Sequence, residues 1–316
     1  MTNIKNPKGL HSRSRHNTSY DFKALCKVNP LLTPLVIKKN NGQKSIDFSD
    51  PISVVELNKA ILLLNYKLKY WEIPENTLCP AIPGRAEYIH FMADLLSKSY
   101  GKKIPKGSNI KVLDVGTGAS VIYPLIGHQQ YGWSFIGSEV NEDSFASAQK
   151  ILKENEIGKD DIDVRLQSNK EKIFENILLD NEMVDAVICN PPFHRSKDEA
   201  AEHTKRKWRN LGHTKGKRFL NFGGQSSELW YQGGERVFIR KMIEESVNYK
   251  KNILWFSSLI SKKDHMPYLM KQMVKHEVTE VTEIEMLLGN KKSRFLAWSY
   301  FTEKQRKAWA EFRFSS

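Results

Sequence analysis

The alternation of short apolar runs with helical segments in the second half of the chain constrains the fold most strongly. Strands are predicted at residues 110–115, 134–139, 162–167, 184–189, 252–257, 278–286 and 295–301. Helices are predicted between several of them, at residues 142–154, 170–178, 237–249 and 263–275. Strands that alternate with helices in this way form a parallel sheet that is covered on both faces.

The last two predicted strands follow one another with only a short turn around Gly289 between them. We therefore expect an antiparallel pair at one edge of the sheet. Seven strands with this ending outline a class I methyltransferase, a Rossmann-like α/β fold, rather than a six-stranded dinucleotide-binding domain. The expected organisation is a basic arm and helical extension (1–105), a methyltransferase domain (106–302) with a basic insertion (194–234), and a C-terminal tail (303–316).

A glycine turn follows the first predicted strand, and it is the first candidate binding site. Glycine lets the backbone approach a ligand closely, and ligands of open parallel sheets bind at the carboxyl ends of the strands. Glu139 ends the second strand, where a carboxylate accepts hydrogen bonds from both hydroxyls of a ribose. The third glycine of dinucleotide spacing is missing, which favours a nucleoside without phosphate, such as S-adenosylmethionine (SAM). The predicted cofactor residues of the turn are Asp114, Gly116, Thr117, Gly118, Ala119 and Ser120.

Asn190, Pro191, Pro192 and Phe193 follow the fourth predicted strand and are the predicted catalytic residues. An exocyclic amine on an aromatic ring is a poor nucleophile, because its lone pair is delocalised. The side-chain oxygen of Asn190 and the carbonyl oxygen of Pro191 can accept both N–H protons and direct the lone pair at a sulfonium methyl group. Phe193 can stack on the extruded base. The motif suits adenine N6, cytosine N4 or a glutamine amide.

The positive charge of the chain is concentrated in two segments. The formal net charge is +13, and residues 1–50 and 194–220 each contain nine basic and three acidic residues. Excess positive charge in irregular segments is typical of a surface that binds a polyanion. The second segment begins directly after Phe193, so we expect it to close over RNA together with the N-terminal arm. The predicted RNA-binding residues are Arg13, Arg15, Arg195, Lys205, Arg206, Lys207, Arg209, Lys215, Lys217 and Arg218.

Other features argue against membrane, secreted and metal-binding classes. The longest aliphatic run, residues 60–64, is far shorter than the roughly 18 residues that cross a bilayer. The N-terminus lacks the apolar core of a signal peptide. Cys26, Cys79 and Cys189 are far apart and show no metal-ligand spacing. We therefore expect a cytoplasmic monomer without a bound metal.

The motifs together resemble the RlmF family of bacterial 23S rRNA (adenine-N6)-methyltransferases. The resemblance rests on the cofactor turn with Tyr123-Pro124-Leu125 and on Asn190–Phe193, and it covers residues 10–301, including 83–90, 220–225 and 293–298. It implies SAM as methyl donor, S-adenosylhomocysteine (SAH) as product, and one adenine of 23S rRNA or of a large-subunit assembly intermediate as target. It implies further that Arg85 binds the methionine carboxylate and Glu139 the ribose of SAM. The residues expected to meet the adenine ring of SAM are Gln167, Ser168 and Asn169.

Two other functions stay open from the residues alone. A glutamine-amide methyltransferase of a translation protein would share the Asn-Pro-Pro-aromatic chemistry, although such enzymes usually have Tyr after the prolines. A non-catalytic RNA-binding assembly factor would share the scaffold. The presence of both Asn190 and Glu139 argues against the second alternative.

Overall fold

The apolar segments of the sequence form one mixed sheet in the computed structural model, which describes residues 2–4, 9–75, 77–193, 230–288 and 291–315. Its spatial strand order is β1-β9-β10-β8-β7-β4-β5-β6, and a separate hairpin consists of β2 (Val36–Lys38) and β3 (Lys44–Ile46). The strands of the main sheet are β1 (Thr2–Ile4), β4 (Lys111–Val115), β5 (Ser134–Glu139), β6 (Ile162–Leu166), β7 (Val184–Cys189), β8 (Ile253–Leu259), β9 (Glu280–Leu288) and β10 (Lys291–Ser299).

The pairing confirms the predicted class I methyltransferase sheet. β6, β5, β4, β7 and β8 are parallel to one another, whereas β10 is antiparallel to both β8 and β9. All seven predicted strands are present within the described residues. β1, which pairs in parallel with β9, is an eighth strand that the sequence pattern does not predict, because three residues are too few to show alternation.

Helices cover both faces of the sheet. Successive residues of β4 point to opposite faces of the sheet. Val112 belongs to the apolar cluster on one face and Leu113 to the cluster on the other. Three short 3₁₀ helices accompany the α-helices within the described residues, at Pro30–Leu35, Val247–Tyr249 and Lys263–His265. The α-helices are α1 (Phe22–Val28), α2 (Pro51–Asn65), α3 (Ile82–Ser97), α4 (Ile122–Tyr131), α5 (Glu142–Glu154), α6 (Gly234–Ser246), α7 (Met266–Lys275) and α8 (Glu303–Ser315). Within the described residues, no helix is long and apolar enough to cross a membrane.

The helix predicted at residues 170–178 is wrong, because the structure has only turns there. The carboxylate of Glu245, on α6, accepts hydrogen bonds from the backbone N–H groups of Ile173, Phe174 and Glu175, at 2.8–2.9 Å. Phe174 is fully buried beneath this contact. The backbone N–H groups that a helix would pair within itself are therefore satisfied by a carboxylate that is distant in the chain. A local sequence pattern does not reveal such a contact.

The N-terminal segment, residues 9–21, packs against α3 and α4. Both carboxylate oxygens of the buried Glu87 accept the backbone N–H of His11, at 3.0 and 2.8 Å. Arg13 donates to Asp94 at 2.7 Å and to the hydroxyl of Tyr131 at 2.8 Å. The described part of the predicted basic arm is thus bound to the fold by its own polar residues.

The last residues of the chain, expected as a tail, form helix α8 over Glu303–Ser315. Trp309 donates its indole N–H to the carboxylate of Asp185 at 2.7 Å, and Asp185 is completely buried. The hydroxyl of Tyr100 donates to the same oxygen at 2.7 Å, and Arg313 forms an ion pair with the other oxygen at 3.2 Å. This buried carboxylate anchors α8 beneath the amino-terminal end of β7, on the side of the sheet opposite the candidate site.

Candidate active site

A cavity of about 650 Å³ opens at the carboxyl ends of β4, β5 and β7. This is the edge of the sheet at which doubly wound folds bind their ligands. The segment before α3 and the starts of α3, α4 and α6 supply the other walls. The residues that line the cavity include Arg85, Gly116, Thr117, Gly118, Ser120, Tyr123, Glu139, Lys170, Glu171, Asn190, Pro192, Trp230, Tyr231, Phe238 and Lys241.

The glycine turn lies against this cavity in the conformation that glycine favours. Gly116 and Gly118 have φ angles of +72° and +67°, and the space where a Cβ of Gly116 would point is open. The backbone N–H of Thr117 donates to the carbonyl oxygen of Ser138 at 2.9 Å, which fixes the turn to β5. Of the other predicted turn residues, Ser120 lines the cavity, whereas Ala119 is buried outside its wall.

Glu139 is a buried carboxylate that lines the cavity and is held by backbone groups. Oε2 accepts the N–H of Gly118 at 2.9 Å, and Oε1 accepts those of Val140 and Asn141 at 2.8 Å. Burial raises the pKa of Glu139, and the three N–H groups oppose that rise. A carboxylate can accept about four hydrogen bonds, so Glu139 retains acceptor capacity for a ligand hydroxyl.

Asp114 is buried beneath the turn with unsatisfied acceptors. Neither of its carboxylate oxygens has a hydrogen-bond partner within the described part of the chain, and the same holds for the hydroxyl oxygen of Thr117. Burial raises the pKa of Asp114 to about 7, an effect that the neighbouring Thr117 hydroxyl and Arg85 oppose and that Glu139 strengthens. A buried acceptor without a partner is costly, which is typical of a site that a donor completes.

Arg85 projects from the first turn of α3 toward the same region. Nη1 donates to the hydroxyl of Tyr123 at 2.8 Å, and the guanidinium lies 5.2 Å from the centre of the Tyr123 ring. Nε is buried and has no partner among the described residues. Tyr123, which sequence reasoning noted only as part of a motif, therefore orients a guanidinium that still has an unused donor.

The predicted catalytic residues lie directly after β7. The side-chain oxygen of Asn190 is buried and, within the described part of the chain, accepts no hydrogen bond. Asn190 and Pro192 line the cavity, whereas Pro191 is buried behind it. Phe193 is partly exposed and lies outside the cavity wall. The motif thus presents an unused amide acceptor to the cavity that also contains Glu139 and Arg85.

The loop after β6 contributes different residues from those expected. The Gln167 side chain donates to the carbonyl oxygen of Glu175 at 2.8 Å and accepts the backbone N–H of Asn169 at 2.9 Å. Gln167, Ser168 and Asn169 lie outside the wall of the cavity, which this loop reaches with Lys170 and Glu171. The amide of Gln167 is used to shape the loop.

One wall of the cavity was missed by sequence reasoning. Trp230, Tyr231 and Phe238 lie there, with the Tyr231 and Phe238 rings in an edge contact at 5.2 Å. Lys241 lies 5.4 Å from the centre of the Tyr231 ring and pairs with Glu171 across the cavity. Two sequence features could have indicated this wall. They are the adjacent aromatic residues 230–231 and the helix that follows them, whose apolar positions recur at three-to-four spacing.

Arg13 and Arg15, the predicted RNA-binding residues that the structure describes, lie outside the cavity wall. Arg13 contacts Asp94 of α3 and Tyr131 of α4, and Arg15 Nε donates to the side chain of Gln130 on α4 at 2.8 Å. No group of three metal-ligating side chains occurs among the described residues. The predicted RNA-binding residues that fall outside the described residues are Arg195, Lys205, Arg206, Lys207, Arg209, Lys215, Lys217 and Arg218.

Comparison with known proteins gives a consistent result over most of the chain. Residues 4–302 match a family described as RNA methyltransferase. The chain is 45% identical to ribosomal RNA large subunit methyltransferase F of Pseudomonas fluorescens, over 96% of this chain and 90% of the relative. The catalytic domain of hMettl16 in complex with hairpin 1 of the MAT2A 3′ UTR superposes with a TM-score of 0.77 and 30% identity, covering 93% of this chain and 96% of that chain. The N-terminal domain of human METTL16 in complex with SAH has a TM-score of 0.73 and 28% identity, covering 93% and 100%.

Proposed function

This chain belongs to the ribosomal RNA large subunit methyltransferase F family of RNA methyltransferases, and on that basis we propose that it methylates N6 of one adenine in 23S rRNA. SAM-dependent RNA methylation follows from membership of the family. The choice of adenine N6, the catalytic role of Asn190–Phe193 and the RNA contacts are the finer parts of the proposal. The observation that carries it is the buried side-chain oxygen of Asn190 in the wall of the cavity, which has no partner among the described residues.

The residues of the cavity fit SAM. Among the described residues, Arg85 has an unused donor at Nε for the methionine carboxylate. Asp114, which is buried beneath the glycine turn and not in the cavity wall, has two oxygens without partners there for the ammonium group. Glu139 would accept hydrogen bonds from the ribose hydroxyls. When bound, SAM supplies a methyl group on a positively charged sulfur, which is activated for transfer. The same fit holds for SAH, which lacks only that methyl group.

The proposed work of the protein at the substrate is positioning. Oδ1 of Asn190 and the carbonyl oxygen of Pro191 would accept the two protons of the adenine amine and favour a pyramidal nitrogen. The lone pair would then point along the line of methyl transfer. The base would be extruded from the RNA, and Phe193 would stack on its face. The methylated ammonium is acidic enough to lose its proton to water.

The RNA would be held by charge outside the cavity. The proposed contacts come from the residues around Phe193, because the basic segment 194–220 begins at the catalytic motif. Arg13 and Arg15 would add to this field from the helical extension, where Asp94 already pairs with Arg13. The proposed partner is 23S rRNA or a large-subunit assembly intermediate.

The test is the transfer of label from methyl-labelled SAM to 23S rRNA, ribosomal precursor particles and a protein fraction. We expect labelled N6-methyladenosine in the RNA. Asn190→Ala should abolish transfer and leave the Kd for SAH within about twofold of wild type, because Asn190 contacts the amine and not the cofactor. Asn41→Ala, in the exposed turn between β2 and β3, is the matched control and should be fully active.

The remaining outcomes separate the alternatives. Label in a glutamine side chain of a protein would identify an amide methyltransferase, and the proposal would be wrong. Binding of RNA without transfer to any polymer would identify an assembly factor. Full activity of Asn190→Ala would remove the assigned role of that residue even if the RNA is labelled.

A further inference from the structure

The paired register of strands β7 and β8 stops short of the end of the sheet that carries Asn190. The last pair of their parallel register is Ala186 with Trp255, whereas β7 continues to Cys189 and β8 to Leu259. Cys189 is buried. Buried backbone N–H and C=O groups require partners, and in this gap in the register side-chain hydroxyl groups supply two of them.

The hydroxyl groups of Tyr88 and Ser257 fill the gap with a chain of three hydrogen bonds. Ser257 Oγ donates to the carbonyl oxygen of Val187 at 2.7 Å. Because that bond uses the only hydroxyl proton of Ser257, Tyr88 Oη is the donor in its 2.7 Å contact with Ser257 Oγ. Tyr88 Oη also accepts the backbone N–H of Cys189 at 3.4 Å. Tyr88 therefore binds the residue that directly precedes Asn190.

The ring of Tyr88 is fixed by its surroundings. It is completely buried, and it makes an edge contact with Tyr123 at 5.6 Å and a tilted contact with Phe295 at 4.6 Å between ring centres. Tyr88 lies on α3 one turn after Arg85, and Tyr123 is the residue that holds the Arg85 guanidinium. One helix thus reaches both the proposed carboxylate site and the strand end before Asn190.

We propose that Tyr88 is a positioning residue that fixes the Asn190 acceptor relative to the methyl donor held at Arg85. This inference rests on the proposed function, in which Asn190 accepts the substrate amine. In-line transfer requires both reactants to be held in one geometry, and a misplacement of about 1 Å can cost on the order of a hundredfold in rate. The hydroxyl of Tyr88 supplies the link from α3 to the backbone of the catalytic motif.

Tyr88 acts through that backbone and not on the substrate. It does not belong to the described residues that line the cavity. Its proton is donated to Ser257, and burial raises its pKa well above the ordinary value, so the phenol stays neutral. A role in proton transfer is therefore excluded by its position and its bonding.

The test uses Tyr88→Phe, Ser257→Ala and the double variant that carries both substitutions. Tyr123→Phe is the comparison variant. The readouts are kcat and KM for the RNA that the wild type labels, the Kd for SAH, and the Tm. Tyr88→Phe removes one hydroxyl and keeps the packed ring. We expect its kcat to fall about tenfold or more, with the Kd for SAH and the KM for RNA within about twofold of wild type. Tyr123→Phe should instead weaken SAH about fivefold, because it removes the hydroxyl that holds Arg85.

Non-additivity distinguishes positioning from a general loss of stability. Because Tyr88 and Ser257 belong to one chain of hydrogen bonds, the double variant should lose no more kcat than Tyr88→Phe alone. Wild-type kcat in Tyr88→Phe, with Asn190→Ala inactive, would overturn the inference and leave the proposed function intact. If Tyr88→Phe fails to bind SAH, Ser257→Ala decides: it must lower kcat with SAH binding intact, or the inference is wrong. Full activity in Asn190→Ala would instead remove the role that the proposed function assigns to Asn190, and the inference would be wrong with it.

Discussion

The buried carboxylate of Asp114 is predicted to lower the free energy of unfolding of the cofactor-free protein and to strengthen cofactor binding. As the pH rises, the stability should fall and the affinity should increase. Burial raises its pKa from the ordinary 3.8 to about 7. That difference corresponds to about 4 kcal/mol at 1.36 kcal/mol per pH unit. The pKa of Asp114 is higher in the folded than in the unfolded protein. The protein therefore has its full stability with respect to this group below about pH 4 and loses about 4 kcal/mol as the pH rises through 7. Asp114→Asn should therefore raise the free energy of unfolding at pH 8, by up to about 4 kcal/mol.

Cofactor binding should show the reverse preference. Only the ionised Asp114 can neutralise the ammonium group of the ligand, and at pH 6 about a tenth of the carboxyl is ionised in the free protein. The Kd for SAH should therefore be about tenfold higher at pH 6 than at pH 8. Asp114→Asn should bind weakly at both pH values and lose most of this dependence.

Isothermal titration calorimetry with SAH at pH 6 and 8, together with denaturant unfolding, measures both effects. Asp143→Asn, an exposed carboxylate in the first turn of α5, is the matched control and should change neither quantity. Equal Kd values at the two pH values in the wild type would contradict the assignment of the ammonium to Asp114. An Asp114→Asn protein less stable than wild type at pH 8 would show that the carboxylate is satisfied in the free protein.

Two further predictions concern the helical extension and the basic insertion. Burial lowers the pKa of His16 to about 4 and of His90 to about 3, so the unfolded chain binds more protons below pH 6.5. In an Asp114→Asn background, stability measured in urea should fall from pH 7 to pH 5, by up to about 1.4 kcal/mol per pH unit for each histidine, and His90→Phe should reduce that slope. Replacing Lys205, Lys207 and Arg209 with Ala should lower the slope of log Kd for RNA against log salt by about 2. A wild-type slope corresponding to only one or two phosphates would contradict the RNA-binding role of the insertion.

The strands and the location of the candidate site could be predicted because they depend on local signals. A parallel strand buried on both faces reads as a continuous apolar run, and the residues that follow such strands converge at one edge of the sheet. Asp114 and Glu139 lie at the carboxyl ends of their strands and Asn190 directly follows one, so their meeting in one region follows from topology. Arg85, which lies on a preceding helix, was assigned only through the family resemblance.

The features that were missed depend on contacts between distant residues. The three N–H groups near Phe174 turn toward Glu245, about seventy positions away in the chain. Arg13, read as a free RNA contact, pairs with Asp94 of α3. The charged residues of a sequence indicate what a surface can attract. They do not show whether a charged side chain already forms an ion pair within the same chain.

The described groups of the cavity argue for catalysis by positioning rather than by a strong base. Within the described part of its wall there is no histidine, and the carboxylates there are Glu139 and Glu171. Three backbone N–H groups hold Glu139, and Glu171 pairs with Lys241. The group left unsatisfied at the end of β7 is the neutral amide oxygen of Asn190. A neutral acceptor can orient an amine without removing its proton. An amine that attacks a sulfonium methyl group needs only that orientation, because its proton becomes acidic after the methyl group has been transferred.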